Sequence, residues 1–142
     1  KLATHAPQGM PLAAKPLADL SHSTGRQAEA MTLLNEAQAH SPSLDITEAL
    51  ASLSGSAGAA RSRYLAHLER EPSLVIATQW LAGETLSDPA AQKRVQAALE
   101  GASAPLKRYR CAACGFEARQ HFWHCPGCQS WDSYPARRVE EL

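Results

Sequence analysis

Long hydrophobic runs are missing from this 142-residue sequence. Its longest strongly apolar stretch is Leu74-Val75-Ile76-Ala77, far short of the roughly 20 residues a membrane-crossing helix needs. The N-terminal residues also lack the charged segment, apolar core and cleavage site of a signal peptide. An excess of either charge is missing: 14 Lys and Arg stand against 14 Asp and Glu, which argues against a chain devoted to coating nucleic acid. β-Branched runs are almost absent from the first hundred residues, and cysteine is absent before Cys111. The chain opens at Lys1 and not at Met, so it is expected to be the C-terminal part of a longer protein, with any membrane anchor lying upstream.

What fills the first hundred residues is Ala and Leu, punctuated by Gly, Ser and Pro, a composition that favours helices. A period is hidden in it. Setting 25–42 above 55–72 aligns Gly25 with Gly55, Ala30 with Ala60, Leu34 with Tyr64, Ala37 with His67 and Pro42 with Pro72. Ala30, Leu34 and Ala37 fall on one stripe of a helix, where small residues allow a close partner and a large one fills the gap. Gly opens the turn before that helix, and Pro prevents its continuation. The pattern resembles the tetratricopeptide repeat, departing from it at His67, where a small residue is expected, and in its shorter period.

Further elements follow from the same reasoning. Residues 11–24 are expected to form the first helix, with Pro16 near its start. Asp45 and Glu48 read as a capping pair ahead of the stripe Ile46, Ala49, Leu50 and Leu53. A helix is expected within 73–86. The next has Ser87 or Asp88 as N-cap, Pro89 in its first turn, Val95 and Leu99 facing inward, and Gly101 as C-cap. The segment 55–60 has no preceding strand and lacks the glycine spacing of a phosphate loop, so it reads as a turn. The expected architecture is mainly α: helical hairpin repeats over 1–100, a short linker over 101–108, and a small metal-binding module over 109–142.

That module holds every cysteine, in two CxxC pairs: Cys111 with Cys114, and Cys125 with Cys128. Disulfides within such close pairs would staple no long loop. A thioredoxin-like dithiol needs one pair beside a βαβ pattern, which is missing. Two knuckles separated by the ten residues 115–124 instead fit one metal ion, Zn or Fe, held by the four sulfurs. Gly115 supplies the positive φ of the first knuckle, and Pro126 with Gly127 are expected to bend the second. Four thiolates on a divalent ion leave a charge of −2, which the neighbouring Lys107, Arg108, Arg110 and Arg119 can offset. A closed shell offers no position for a hydrolytic water. His121 and His124 are therefore expected in packing roles. Six of the chain's eight aromatics lie here, and Trp123 or Trp131, with Phe116 or Phe122, is expected to pack on the helices.

The motifs Y-x-C-x-x-C-G-F and W-x-C-P-x-C resemble the knuckles of rubredoxin and zinc-ribbon domains, with a shortened loop between them. Helical repeats followed at once by this tail resemble the C-terminal half of the lipopolysaccharide assembly protein B family. That resemblance implies a non-catalytic adaptor at the cytoplasmic face of the Gram-negative inner membrane, anchored by a helix outside this sequence. It implies as partners a membrane AAA protease and the deacetylase that commits material to lipid A, whose degradation the family promotes. It also implies a metal held by Cys111, Cys114, Cys125 and Cys128. Three alternatives stand beside it. One is a repeat-containing fragment of a glycosyltransferase such as an N-acetylglucosaminyl transferase, although no paired carboxylates or activated nucleophile speak for an enzyme. The others are an iron redox module and a nucleic-acid-binding ribbon, the latter disfavoured by the neutral charge.

Overall fold

The first helices begin and end where short-range chemistry places them. In the computed structural model, which describes residues 2–142, a short turn α1 (Leu2–His5) precedes the helices α2 (Met10–Thr24) and α3 (Gln27–His40). They are followed by α4 (Leu44–Leu53), α5 (Ala57–Arg70), α6 (Leu74–Ala82) and α7 (Pro89–Ser103). Gly25 closes α2 at φ 71°, and Gly55 takes φ 68° between α4 and α5. Both are left-handed conformations that glycine adopts without strain. Ser43, Ser56 and Ser73 cap α4, α5 and α6 by accepting the N–H groups of Ile46, Ala59 and Ile76. Asp88 caps α7 through Ala90 and Ala91, as its position before Pro89 predicts.

Four local expectations need correction. Pro16 lies well inside α2 and not near its start. The Asp45–Glu48 capping pair does not form; Ser43 caps α4, and Asp45 turns to the C-terminal tail. Gly101 does not end α7, which runs on to Ser103 and into a 3-10 turn at Ala104–Lys107. Val95 is exposed. The inward stripe of α7 is Gln92, Gln96, Leu99 and Ser103, at helical spacing. Gln92 is satisfied by backbone, donating to the Glu84 carbonyl at 2.6 Å and accepting from the Leu86 N–H at 2.9 Å, whereas Gln96 donates to Glu100 Oε1 at 2.8 Å and its own Oε1 has no partner among the described residues. Amides of this kind carry no hydrophobic signal, so the register misleads.

The helices pack in sequence order, and α2 also lies directly against α4. The stripe Ala30, Leu34 and Ala37 faces inward, with Leu34 fully covered. It joins Met10, Ala14 and Ala18 of α2 and Ile46, Ala49, Leu50 and Leu53 of α4 in the principal core. The alanines let helix axes come close, and the large residues between them fill the seam. A second cluster of Leu44, Val75 and Ile76 packs with Tyr64, Leu68 and Leu106. His67 is buried because a polar partner awaits it: its Nδ1 lies 3.0 Å from Thr47 Oγ1, which Gln38 Nε2 reaches at 2.8 Å. This explains the histidine that stands where a small residue is expected.

After the helices the backbone changes character. Strands β1 (Tyr109–Arg110) and β2 (Glu117–Ala118) pair antiparallel, and a bridge joins His124 to Trp131. These few strand residues frame a ribbon of loops with a small core of Tyr109, Cys111, Cys125 and Tyr134, against which Leu12 of α2 packs.

Candidate metal centre and the tail that docks it

The two knuckles are built on one hydrogen-bond plan. In the first, the Cys111 N–H donates to the Phe116 carbonyl and the Gly115 N–H to the Cys111 carbonyl, both at 2.9 Å. In the second, Cys125 N–H donates to the Ser130 carbonyl and Gln129 N–H to the Cys125 carbonyl, again at 2.9 Å. Gly115 (φ 77°) and Gln129 (φ 63°) occupy the same left-handed position. The second bend therefore rests on Gln129 and not on Pro126 with Gly127. Gly127 serves close approach: a Cβ there would lie 3.3 Å from Phe116 Cβ.

This geometry brings the four sulfurs together. All lie within 4.8 Å of one another, with Cys111 Sγ 3.8 Å from Cys128 Sγ and Cys114 Sγ 3.7 Å from Cys125 Sγ. A tetrahedron with metal–sulfur bonds of about 2.3 Å has sulfur–sulfur edges of roughly 3.8 Å. The donor set thus fits one metal ion bound by cysteine thiolates. Cys111 and Cys125 are buried against the ribbon core, whereas Cys114 and Cys128 face outward. The Ser133 and Ser130 hydroxyls lie 3.2 Å from Cys111 Sγ and 3.4 Å from Cys128 Sγ, placed to stabilise thiolates. Without a cation the sulfurs cannot all ionise. The Ser133 hydroxyl holds the Cys111 thiol down to about 6. The Phe116 N–H favours a thiolate at Cys114 too, but burial and the surrounding sulfurs push that thiol up to about 12. An ion in the middle removes the conflict.

Neither histidine joins the sulfurs. His121 Nε2 sits 3.0 Å from the Tyr134 carbonyl, with its ring edge-on to Tyr109, Trp123 and Tyr134. His124 lies against Trp131. Of the basic residues beside the site, Arg110 pairs with Glu117 at 2.7 Å and Arg108 approaches it at 3.7 Å.

The ribbon is similar to known proteins. A family profile described as a rubredoxin metal binding domain, from the zinc ribbon of lipopolysaccharide assembly protein B, matches residues 109–134. Residues 109–134 are thus similar to a zinc ribbon of that type. Lipopolysaccharide assembly protein B from Escherichia coli (strain K12) is 47% identical over 36 residues, and so is the protein from Escherichia coli O157:H7. The aligned stretch covers 25% of this chain and 9% of each relative. The helical residues before Tyr109 lie outside the profile match.

How the ribbon meets the helices differs from expectation. Trp123 and Trp131 are 63% and 71% exposed, and Phe116 is exposed as well; only Phe122 is drawn into the ribbon core. The joint is made by Tyr109, Leu12 and above all the last six residues. Arg138 forms a forked pair with Asp45 at 2.6 and 2.9 Å. It also donates to the Lys107 carbonyl at 2.7 Å and covers the Tyr109 ring at 4.2 Å. Arg137 donates to the Pro42 carbonyl and Ser41 Oγ, both at 2.8 Å. Glu141 accepts the Leu44 N–H at 2.8 Å, and Glu140 accepts the Leu74 N–H at 2.6 Å and the Ser73 hydroxyl at 2.7 Å. Two consecutive carboxylates thus sit on the positive ends of α4 and α6, where free N–H groups and the helix dipole favour an anion. A sequence signal for this existed. Pro-Ser-Leu occurs at 42–44 and again at 72–74, repeating the helix start that each glutamate meets.

Proposed function

We propose that this chain is part of a non-catalytic adaptor that regulates lipopolysaccharide biosynthesis. Its helical hairpins (1–100) present a surface to protein partners, and the module (109–142), joined through 101–108, sets that surface at a fixed angle. Cys111, Cys114, Cys125 and Cys128 are the ligands of one structural Zn or Fe ion. The observation that carries this reading is the ribbon's likeness to lipopolysaccharide assembly protein B, combined with a closed four-sulfur site that leaves no coordination position for a substrate. The partners are a membrane AAA protease and the deacetylase of the lipid A pathway, brought together so that the deacetylase is degraded. The setting is the cytoplasmic face of the inner membrane, reached through an anchor outside this sequence; among the described residues no helix is long and apolar enough to cross a membrane.

The test is an affinity capture of the purified protease and deacetylase, with the cysteine site intact and with Cys114→Ser. Capture by the intact chain and its loss in the variant is the expected result. Failure of the intact chain to hold either protein, or sugar-nucleotide turnover by it, overturns the adaptor reading.

A further inference from the structure

Where the helices meet the ribbon, a cleft of about 450 Å³ opens between α2, α4, α5, α6 and the C-terminal tail. Its charges do not balance. Lys15 and Arg138 stand against Asp19, Asp45 and Glu48 in its lining, two cations against three carboxylates. Lys15 pairs with Asp19 at 2.6 Å, and Arg138 is committed to Asp45. Glu48 is left over. Its Oε1 is closed off from solvent with no hydrogen-bond partner among the described residues. Lys107 and Arg138 exert only a longer-range attraction on it, opposed by Asp45 and Glu141, and burial raises its pKa above the usual carboxylate value.

A half-buried carboxylate without a partner costs stability, and a cation in the cleft that Glu48 lines lessens that cost by its charge without touching the covered Oε1. Metal binding is a poor explanation, because the only gathering of three or more ligand groups among the described residues is the four cysteines. The other walls suit a long side chain with a charged tip. Leu12, Ala49 and the Tyr64 ring offer apolar surface for an aliphatic stem, and Ser52 and Gln79 offer polar atoms beside it.

We propose that this cleft receives a lysine or arginine side chain projecting from a protein partner, with Glu48 as its counter-ion. The inference rests on the adaptor reading and deepens it by naming the chemistry of the partner's anchor. Since the cleft is walled by both the helices and Arg138 of the tail, it exists only while the tail is docked. The metal-bearing module would thereby be coupled to partner recognition.

The probes are short peptides identical except for a central arginine, lysine or citrulline, titrated into the isotopically labelled chain and followed by amide NMR shifts. Saturable shifts at Glu48, Ser52 and Tyr64 are expected with the two cationic peptides and not with citrulline. Glu48→Gln should weaken them by about tenfold or more, the scale of a charged hydrogen bond. The same variant should melt no lower than the wild type, because it removes an unpaired carboxylate, so lost binding would not reflect lost folding. Equal binding of citrulline and arginine peptides, or unchanged binding by Glu48→Gln, overturns the proposal. In the capture experiment above, a Glu48→Gln chain that holds the partners as well as wild type sinks this inference alone, whereas an intact chain that holds neither sinks the adaptor reading.

Discussion

Replacing Arg138 by alanine removes three contacts at one stroke: the fork to Asp45, the bond to the Lys107 carbonyl, and the cover over Tyr109. The pair is not a surface one, since the Arg138 and Asp45 side chains are 23% and 9% exposed. Exposed ion pairs contribute up to about 1 kcal/mol, but stranding one member of a buried pair costs about 3–5 kcal/mol. Asp45 keeps some contact with solvent, so the lower end applies, about 3 kcal/mol. The loss should fall on the joint, because Asp45, the Lys107 carbonyl and the Tyr109 ring, which the Arg138 side chain ties together, lie where helices, linker and ribbon meet. Urea unfolding followed by helical circular dichroism should shift to lower concentration, and hydrogen exchange should quicken at Leu44 and Leu74, whose N–H groups Glu141 and Glu140 accept. A variant within about 0.5 kcal/mol of wild type, with both amides still protected, would refute the view that the tail fastens ribbon to helices.

Cys114→Ser should lose the bound metal and loosen the ribbon while most far-UV helical signal remains, because so small a module cannot fold without its ion; metal analysis and limited proteolysis check this. Gln129→Gly should stabilise the ribbon by about 0.5–1 kcal/mol, read as a higher unfolding midpoint, because glycine takes the φ of 63° without the cost a side chain meets there. Leu34→Ala should destabilise the helices by about 2–5 kcal/mol in denaturant titrations, Leu34 being fully buried in the principal core. Burial holds the His67 pKa below its usual 6.5. The unfolded chain then binds the proton more readily, and stability should fall as pH drops below about 6.5. Glu48 and Glu141 act with opposite sign, because burial raises their pKa values and acidification relieves them. The His67→Gln chain should therefore lose the destabilisation between about pH 6.5 and pH 5, and a thermal-melt series at those values that matches wild type would count against the assignment.

What the sequence determined by itself is everything whose cause lies within a few residues. The CxxC spacing, with Gly115 after the first pair, shapes the knuckles by local hydrogen bonds, and the metal-binding character of the tail follows, although the left-handed Gln129 of the second knuckle was legible only in the structure. Gly25, Gly55, Asp88 and the stripe Ala30, Leu34 and Ala37 likewise announce helix ends and faces through short-range sterics and a fixed period. The tertiary structure decided what has no period. Gln92 faces inward because the Glu84 carbonyl and the Leu86 N–H are there to meet it. The exposed Trp123 and Trp131 do not dock the ribbon; Arg137, Glu140 and Glu141 meet the Pro-Ser-Leu helix starts, and Arg138 meets Asp45. Those partners are separated by 66 to 97 positions along the chain. Charged residues at a chain end look like solvated surface in a sequence, and only the folded geometry puts two carboxylates on two helix dipoles and an arginine on a buried aspartate.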